Sequence, residues 1–391
     1  MENQYLMQTY GHLPVSFERG EGVWLWDDTG KSYLDALAGI AVCGLGHVHP
    51  QVTAALCEQA STLIHTSNLY HIPMQEQLAA RLTPLAGMER AFFANSGAEA
   101  NEAAIKLARL YGQGRGVKSP AIVVMEGSFH GRTLATLSAT GNRKVQAGFE
   151  PLVQGFTRVP YNDLDAVAKV AANSNDIVAV LVEPVLGEGG VVIPDEAYLP
   201  GLRQLCDQQG WLLMLDEIQT GMCRTGQWFA WQHRQARPDV MTVAKALGNG
   251  FPIGACMAQG EAAHVLQKGT HGSTYGGNPL ASHVALAVIA VLEDQGLAQR
   301  ARTLGQRILA GLKLGLAGKD YVQEIRGQGL MIGIELQQPC VGLMAEALKE
   351  GLLISVTAGN VIRLLPPLIL TDQEADEIVS RTINVVEKAY G

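Results

Sequence analysis

Two stretches decide the fold: LLMLDEIQTGMCRTG at residues 212–226 and VMTVAKALGNGFPIGA at residues 240–255. Each begins as a short aliphatic run without alternation of apolar and polar positions. That pattern suits a parallel strand covered on both faces rather than one with a wet side. Each run then ends on charged residues, Asp216-Glu217 in the first and Lys245 in the second, and continues into a glycine-bearing turn. In open parallel α/β sheets, ligands bind at the carboxyl ends of the strands, where these residues fall.

Working outward, AIVVM (121–125) and IVAVLVE (177–183) are runs of the same kind, and helices such as 196–209 separate them. This predicts a layered α/β region. Upstream, AFFANSG (91–97) is a short apolar segment that passes at once into AEANEAAIKLARLY (98–111), a strong helix former with apolar residues three and four apart. Residues 20–35 predict a hairpin turning at Asp28-Thr29-Gly30, and residues 51–64 a helix after His49-Pro50. Beyond residue 279 the texture changes. Amphipathic segments 279–293 and 297–314 precede a strand-like 323–336, a helix 341–350, a strand 361–368 and a final helix from about 372. The expected organisation is an N-terminal segment 1–50 packing with a smaller α+β unit at 276–391, around a large α/β domain at 51–275.

Bulk properties narrow the function. The 391 residues carry a net charge of −8, 47% are hydrophobic and only 17% charged, against a usual share of about 25%. Mean hydropathy is +0.10 and the isoelectric point about 5.7. An acidic chain with no Lys/Arg run is a poor nucleic-acid binder. No apolar stretch reaches membrane-spanning length, and the N-terminus lacks the basic and apolar regions of a secretory signal. Cys43, Cys57, Cys206, Cys223, Cys256 and Cys340 form no CxxC, so reduced thiols and a cytoplasmic location are expected. The 44 glycines follow no collagen period and must serve turns, close contacts or binding loops.

GxGxxG after a strand, HExxH and GxSxG are all missing. Gly30-Lys31-Ser32 ends like a P-loop, but Leu25 stands where the upstream glycine belongs. His47 and His49 have no cysteine or carboxylate cluster beside them and read as local turn hydrogen bonding; no metal is expected. Three strand ends remain. Asn95-Ser96-Gly97-Ala98 opens a helix, where backbone N–H groups and the Ser96 hydroxyl make an anion cradle, or an ordinary N-cap. Asp216, desolvated at its strand end, needs a partner such as a protonated pyridine nitrogen, with Gln219 in reach of a phenolic oxygen; satisfaction by nearby N–H groups is the plainer reading. Lys245 among small residues is costly as a cation, and a lowered pKa makes it a nucleophile; snorkelling or phosphate binding is the alternative. A phosphate cradle, a carboxylate for a ring nitrogen and a Schiff-base lysine are what proteins contribute to pyridoxal 5′-phosphate (PLP) chemistry.

At these residues the sequence resembles a known family. ANSGAEANEAAIKLAR, FHGRTLATLSATG, EPVLGEGG, LDEIQTG with RTG, AKALGNGFPIGA, HGSTYGGNPLA, IRGQGLMIGIEL and IRLLPPL stand in the order found in class III (subgroup II) PLP-dependent aminotransferases. GHLPVSFERGEGVWLWDDTGKSYLD and GLGHVHP extend the match nearly end to end. The likeness is to the acetylornithine, succinylornithine and ornithine aminotransferase branch, and nearest to its acetylornithine members in the short N-terminus, AGIAV (38–42) and HTSNLYHIP (65–73). The resemblance implies fold type I, with a mostly parallel seven-stranded sheet between helices. It also implies a homodimer with active sites at the interface.

Carried over by motif, Lys245 would hold the cofactor and move the proton, and Asp216 would keep the pyridine nitrogen protonated. Gln219 would contact O3′, and Phe129 would stack on the ring. Ser96, Gly97 and Ala98 would hold the phosphate, with Thr274 reaching that of the other subunit. Arg132 would bind the α-carboxylate of the amino donor and Arg363 that of glutamate or 2-oxoglutarate. Glu188 would pair with Arg363 while the donor is bound and release it for the dicarboxylate. Ser273 and Tyr10 complete the expected substrate contacts.

The implied reaction moves the δ-amino group of N2-acetyl-L-ornithine to 2-oxoglutarate, in arginine biosynthesis. Succinylornithine transaminase, ornithine δ-aminotransferase and N-succinyldiaminopimelate aminotransferase are the near alternatives. A PLP aminomutase and a catalytically dead scaffold are the distant ones. The sequence departs from the family at Leu186, often Gln, and at Cys223, often Gly. A changed pocket wall and a thiol-sensitive loop are the expectations there.

Overall fold

The computed structural model describes residues 5–391. The N-terminal strands β1 (Phe17–Glu21), β2 (Trp24–Asp27) and β3 (Ser32–Asp35) form an antiparallel meander. The β2–β3 turn is held by the Asp27 carboxylate, which accepts from the backbone N–H groups of Thr29 and Lys31 at 2.9 and 3.0 Å. Gly30 supplies the left-handed φ of +85° that the turn requires.

The central sheet contains β4 (Arg90–Ala94), β5 (Ala121–Met125), β6 (Phe156–Val159), β7 (Ile177–Val182), β8 (Leu212–Asp216), β9 (Val240–Val243) and β10 (Gly254–Ala258). Their spatial order is β4-β10-β9-β8-β7-β5-β6. The neighbours from β9 to β6 run parallel, whereas β10 pairs antiparallel with both β4 and β9. All residues of β7, β8, β9 and β10 are buried, as expected of strands covered on both faces. Helix Gly97–Gly114 packs on one face, burying Ala100, Ala103, Ala104, Leu107 and Ala108. The sequence reading missed β6 and β10.

The C-terminal part forms β11 (Val322–Gln328) and β12 (Met331–Leu336), a hairpin where one strand-like segment was expected. It continues through β13 (Leu352–Leu353), β14 (Ser355–Thr357) and β15 (Val361–Leu364). β11-β12-β15-β14 make a second antiparallel sheet, backed by helix Leu297–Gly315, on which helix Asp372–Tyr390 packs in turn. β13 instead pairs parallel with β3, Leu352 opposite Leu34, so the two ends of the chain share one sheet. Helix Pro279–Asp294 is largely buried. Among the described residues no single helix is long and apolar enough to cross a membrane.

Two expectations need correction. His47 does not serve a local turn. Its Nε2 lies 2.8 Å from Asp35 Oδ2, twelve residues away. Burial pulls its imidazole down, but hydrogen bonding to Asp35 and Cys43 outweighs this and raises it to about 9. Cys223 is fully buried, and burial pushes its thiol up to about 12. A thiol so placed is inert, which removes the basis for a thiol-sensitive loop.

Candidate active site

The ends of β4, β8 and β9 open onto a cavity of about 400 Å³. Ser96, Gly97, Ala98, Phe129, Arg132, Glu188, Asp216, Gln219 and Lys245 all line it. Ser96 caps helix Gly97–Gly114, its hydroxyl accepting from Glu99 N–H at 3.2 Å. A Cβ on Gly97 would come within 2.8 Å of Ile218 Cδ1, so glycine is what lets this helix start sit so close to the loop after β8. The exposed helix end turns its unpaired N–H groups and its positive dipole toward the cavity.

Asp216 is 3% exposed and fully engaged behind. Its Oδ2 accepts from Asn101 Nδ2 at 2.7 Å and lies 2.7 Å from His130 Nδ1, while Oδ1 accepts from Ile218 N–H at 3.1 Å. Asn101 is itself fixed, donating to the His130 carbonyl at 2.8 Å and accepting from Thr242 Oγ1 at 2.8 Å. His130 Nε2 is buried without a partner on the cavity wall. Glu217 points away from the cavity and accepts from the backbone N–H groups of Ala230 and Trp231, both at 2.9 Å.

Lys245 follows β9 with a left-handed φ of +45°, a strained backbone for a long side chain. Burial and the neighbouring Arg363 guanidinium pull its ammonium down to about 8, against the Glu188, Asp216 and Glu183 carboxylates. Arg363, on β15 and 2% exposed, donates from Nη1 to Glu188 Oε1 at 2.6 Å and from Nε to Ser355 Oγ at 3.1 Å. Glu188 is the looser partner, its side chain 38% exposed. Arg132 is exposed, its guanidinium carbon 5.7 Å from the centre of the Phe129 ring.

Four expected residues do not line the cavity of this chain, Arg363 among them, which meets it only through its ion pair with Glu188. Thr274 and Tyr10 are exposed and do not line it. Ser273 approaches through Asn95, whose Nδ2 donates to Ser273 Oγ at 3.2 Å. Leu186 is buried but lines no part of the cavity, so it does not alter that wall. The sequence reading missed Asn101, His130, Thr242 and Glu183. Glu183 lines the cavity and accepts from Phe129 N–H at 2.8 Å and Gly187 N–H at 3.0 Å. One signal for Asn101 was present: it shares the helix stripe of Ala104, Ile105 and Ala108, where an amide is out of place unless bonded.

Residues 5–386 match the class-III aminotransferase family model. The acetylornithine aminotransferase of Nitrosomonas europaea is 61% identical over 376 residues, 96% of each chain. Among solved structures, the ornithine aminotransferase of Toxoplasma gondii superposes with a TM-score of 0.95 at 36% identity, covering 99% of this chain and 94% of that one. The acetylornithine aminotransferase of Elizabethkingia anophelis gives 0.88 at 34% identity, covering 98% and 96%. A seven-stranded, mostly parallel sheet with a lysine and a carboxylate at adjacent strand ends is the fold type I arrangement, and the chain belongs to the class-III, PLP-dependent aminotransferases.

Proposed function

We propose that this chain is a transaminase that moves the δ-amino group of N2-acetyl-L-ornithine to 2-oxoglutarate, yielding N-acetyl-L-glutamate 5-semialdehyde and L-glutamate, in arginine biosynthesis. The observation that carries the reading is the convergence of Lys245 and Asp216 on one cavity that Glu188, ion-paired to Arg363, also lines. The 61% identity to an acetylornithine aminotransferase supports the choice of donor.

PLP fits the residues present. The helix start at Ser96-Gly97-Ala98 suits its phosphate, Phe129 its ring face, Gln219 its phenolic oxygen and Asp216 its ring nitrogen. The cofactor supplies an electron sink that makes the proton on the amine-bearing carbon removable. Asp216 holds the ring nitrogen's proton, and the Asn101–His130 pair behind it keeps the carboxylate oriented. Lys245 Nζ carries the proton at the substrate carbon, and a lowered pKa suits it to act as base near neutral pH. Arg132 binds the donor's carboxylate. Arg363 stays covered by Glu188 while the donor is bound, then binds the dicarboxylate through its planar fork once Glu188 swings off.

The same reading holds that the enzyme is a cytoplasmic homodimer, with Thr274 completing the partner's phosphate site and Ser273 and Tyr10 contributing to substrate binding. Residues 1–50 and 276–391 form its smaller domain and 51–275 its larger one. The six cysteines, all free, suit a reducing compartment. The deciding experiment compares kcat/KM for acetylornithine, succinylornithine, ornithine and GABA at fixed 2-oxoglutarate. Acetylornithine should rank first; a clear preference for ornithine or GABA overturns the substrate assignment.

A further inference from the structure

The backbone of the segment carrying Glu188 is held at several points, whereas, among the described residues, its carboxylate is held only by the ion pair with Arg363. At its start, Gly187 N–H donates to Glu183 Oε2 at 3.0 Å. The Glu188 carbonyl accepts from the Thr357 hydroxyl on β14. The Gly190 and Val191 carbonyls accept from Arg326 of β11, Nη2 at 2.6 Å and Nε at 2.9 Å. Arg326 is in turn fixed by Glu324 and Glu335, both at 2.6 Å from Nη1. At the base, Leu186 and Val192 exchange backbone hydrogen bonds of 3.1 Å. Gly189 is packed so closely that a Cβ would come within 2.7 Å of the Gly127 carbonyl. Thr357 and Arg326 touch no part of the cavity.

We propose that Thr357 and Arg326 are positioning residues that clamp the Glu188 backbone, so that its side chain alone moves between covering and uncovering Arg363. The clamp sets how strongly the enzyme separates its amino donor from its dicarboxylate acceptor. This rests on the reading of Glu188 and Arg363 as a gate. A fixed backbone loses little conformational freedom when the ion pair forms, so the covered state is favoured. When the clamp is loosened, Glu188 covers Arg363 for less of the time. Dicarboxylate affinity then rises in proportion to the uncovered fraction. The donor's own carboxylate competes for the bared guanidinium, and its productive binding falls.

The test uses holoenzyme carrying T357V, T357S, E188A or T357V with E188A. T357V removes the hydroxyl at nearly constant volume. Half-reaction kcat/KM values for acetylornithine and for 2-oxoglutarate are measured separately, and the Kd of glutarate, an unreactive dicarboxylate, by calorimetry. Losing one hydrogen bond should lower the donor-to-acceptor ratio by about fivefold and tighten glutarate by a similar factor, mainly through KM. T357S should restore both, E188A should shift both further in the same direction, and T357V should add nothing to E188A. If E188A shifts the ratio and T357V does not, the clamp is wrong and the gate stands. An equal T357V shift on the E188A background means that Thr357 acts by another route, which also overturns the clamp. If E188A itself leaves the ratio unchanged, the gate fails and the clamp with it. R326K, read the same way, replaces T357V if that variant does not fold.

Discussion

Asp216 and Glu217 are adjacent carboxylates at the end of one strand, both almost fully buried, and they have opposite employments. Asp216 faces the cavity, backed by the Asn101 amide and the His130 ring. Glu217 faces the other way and receives the first N–H groups of the short 3₁₀ turn Ala230–His233, with the Thr220 hydroxyl beside them. Successive side chains leave a strand on opposite faces, so one step along the chain separates a group that works on a ligand from one that holds a loop. Burial alone does not distinguish them. What does is where the partners stand: those of Asp216 leave it on the cavity wall, whereas the Ala230 and Trp231 N–H groups and the Thr220 hydroxyl enclose Glu217 away from it.

Lys245→Ala should abolish turnover and the visible absorbance of the lysine-bound cofactor; retention of both would end the enzyme reading. Asp216→Asn should keep the fold but lower kcat by about 10²- to 10³-fold, the usual scale for removing one electrostatic group aimed at developing charge. Single-turnover kinetics would read this directly, and a change of less than twofold would place Asp216 with Glu217. The neutral Lys245 amine is the form that captures cofactor. Its pKa is lowered to about 8, so the amine is mostly charged below that value and mostly free above it. Cofactor uptake by apoenzyme should therefore rise about tenfold per pH unit below pH 8 and level off above it. Arg363→Met, by removing a nearby cation, should move the bend to higher pH.

Glu217→Gln should leave kcat and KM within twofold while reducing stability by about 1–3 kcal/mol, because the amide cannot accept from all three donors. Chemical denaturation would measure this. Burial raises the Glu217 carboxyl from 4.5 to about 7. The folded state thus binds more protons than the unfolded one between those values, and this group's contribution to stability is present below 4.5 and lost as pH rises through about 7. The substitution should flatten stability against pH in that window. An unchanged slope would show that Glu217 does not titrate there.

Much of this arrangement was legible in the sequence because it follows from local rules. β5, β7, β8 and β9 announce themselves as unbroken apolar runs, and Asp216 and Lys245 stand out where such runs end. β6, FTRV, was not legible, since it is an edge strand with only Val159 buried and a charge in its middle. β10, GACMA, is made of small residues with little strand preference, and Gly254 is there because a Cβ would come within 2.4 Å of the Ser96 carbonyl. That requirement comes from a residue far away in sequence. The same holds for Glu183, which ends an apolar run as Asp216 does but is told apart as a support for Phe129 and Gly187 only by its contacts. The fates of Glu217 and Cys223 likewise depend on segments that no local pattern brings together.

The parallel pairing of β3 with β13 has a consequence for how the polypeptide is made. Leu34 leaves the ribosome more than three hundred residues before its partner Leu352. Until then the outer edge of β3 presents unpaired N–H and C=O groups, a template for any extended chain nearby. Closing a loop of that length also comes late on entropic grounds. The nascent chain therefore spends most of its synthesis with an open seam, and truncation before residue 352 should yield a product that associates with itself rather than a smaller folded enzyme.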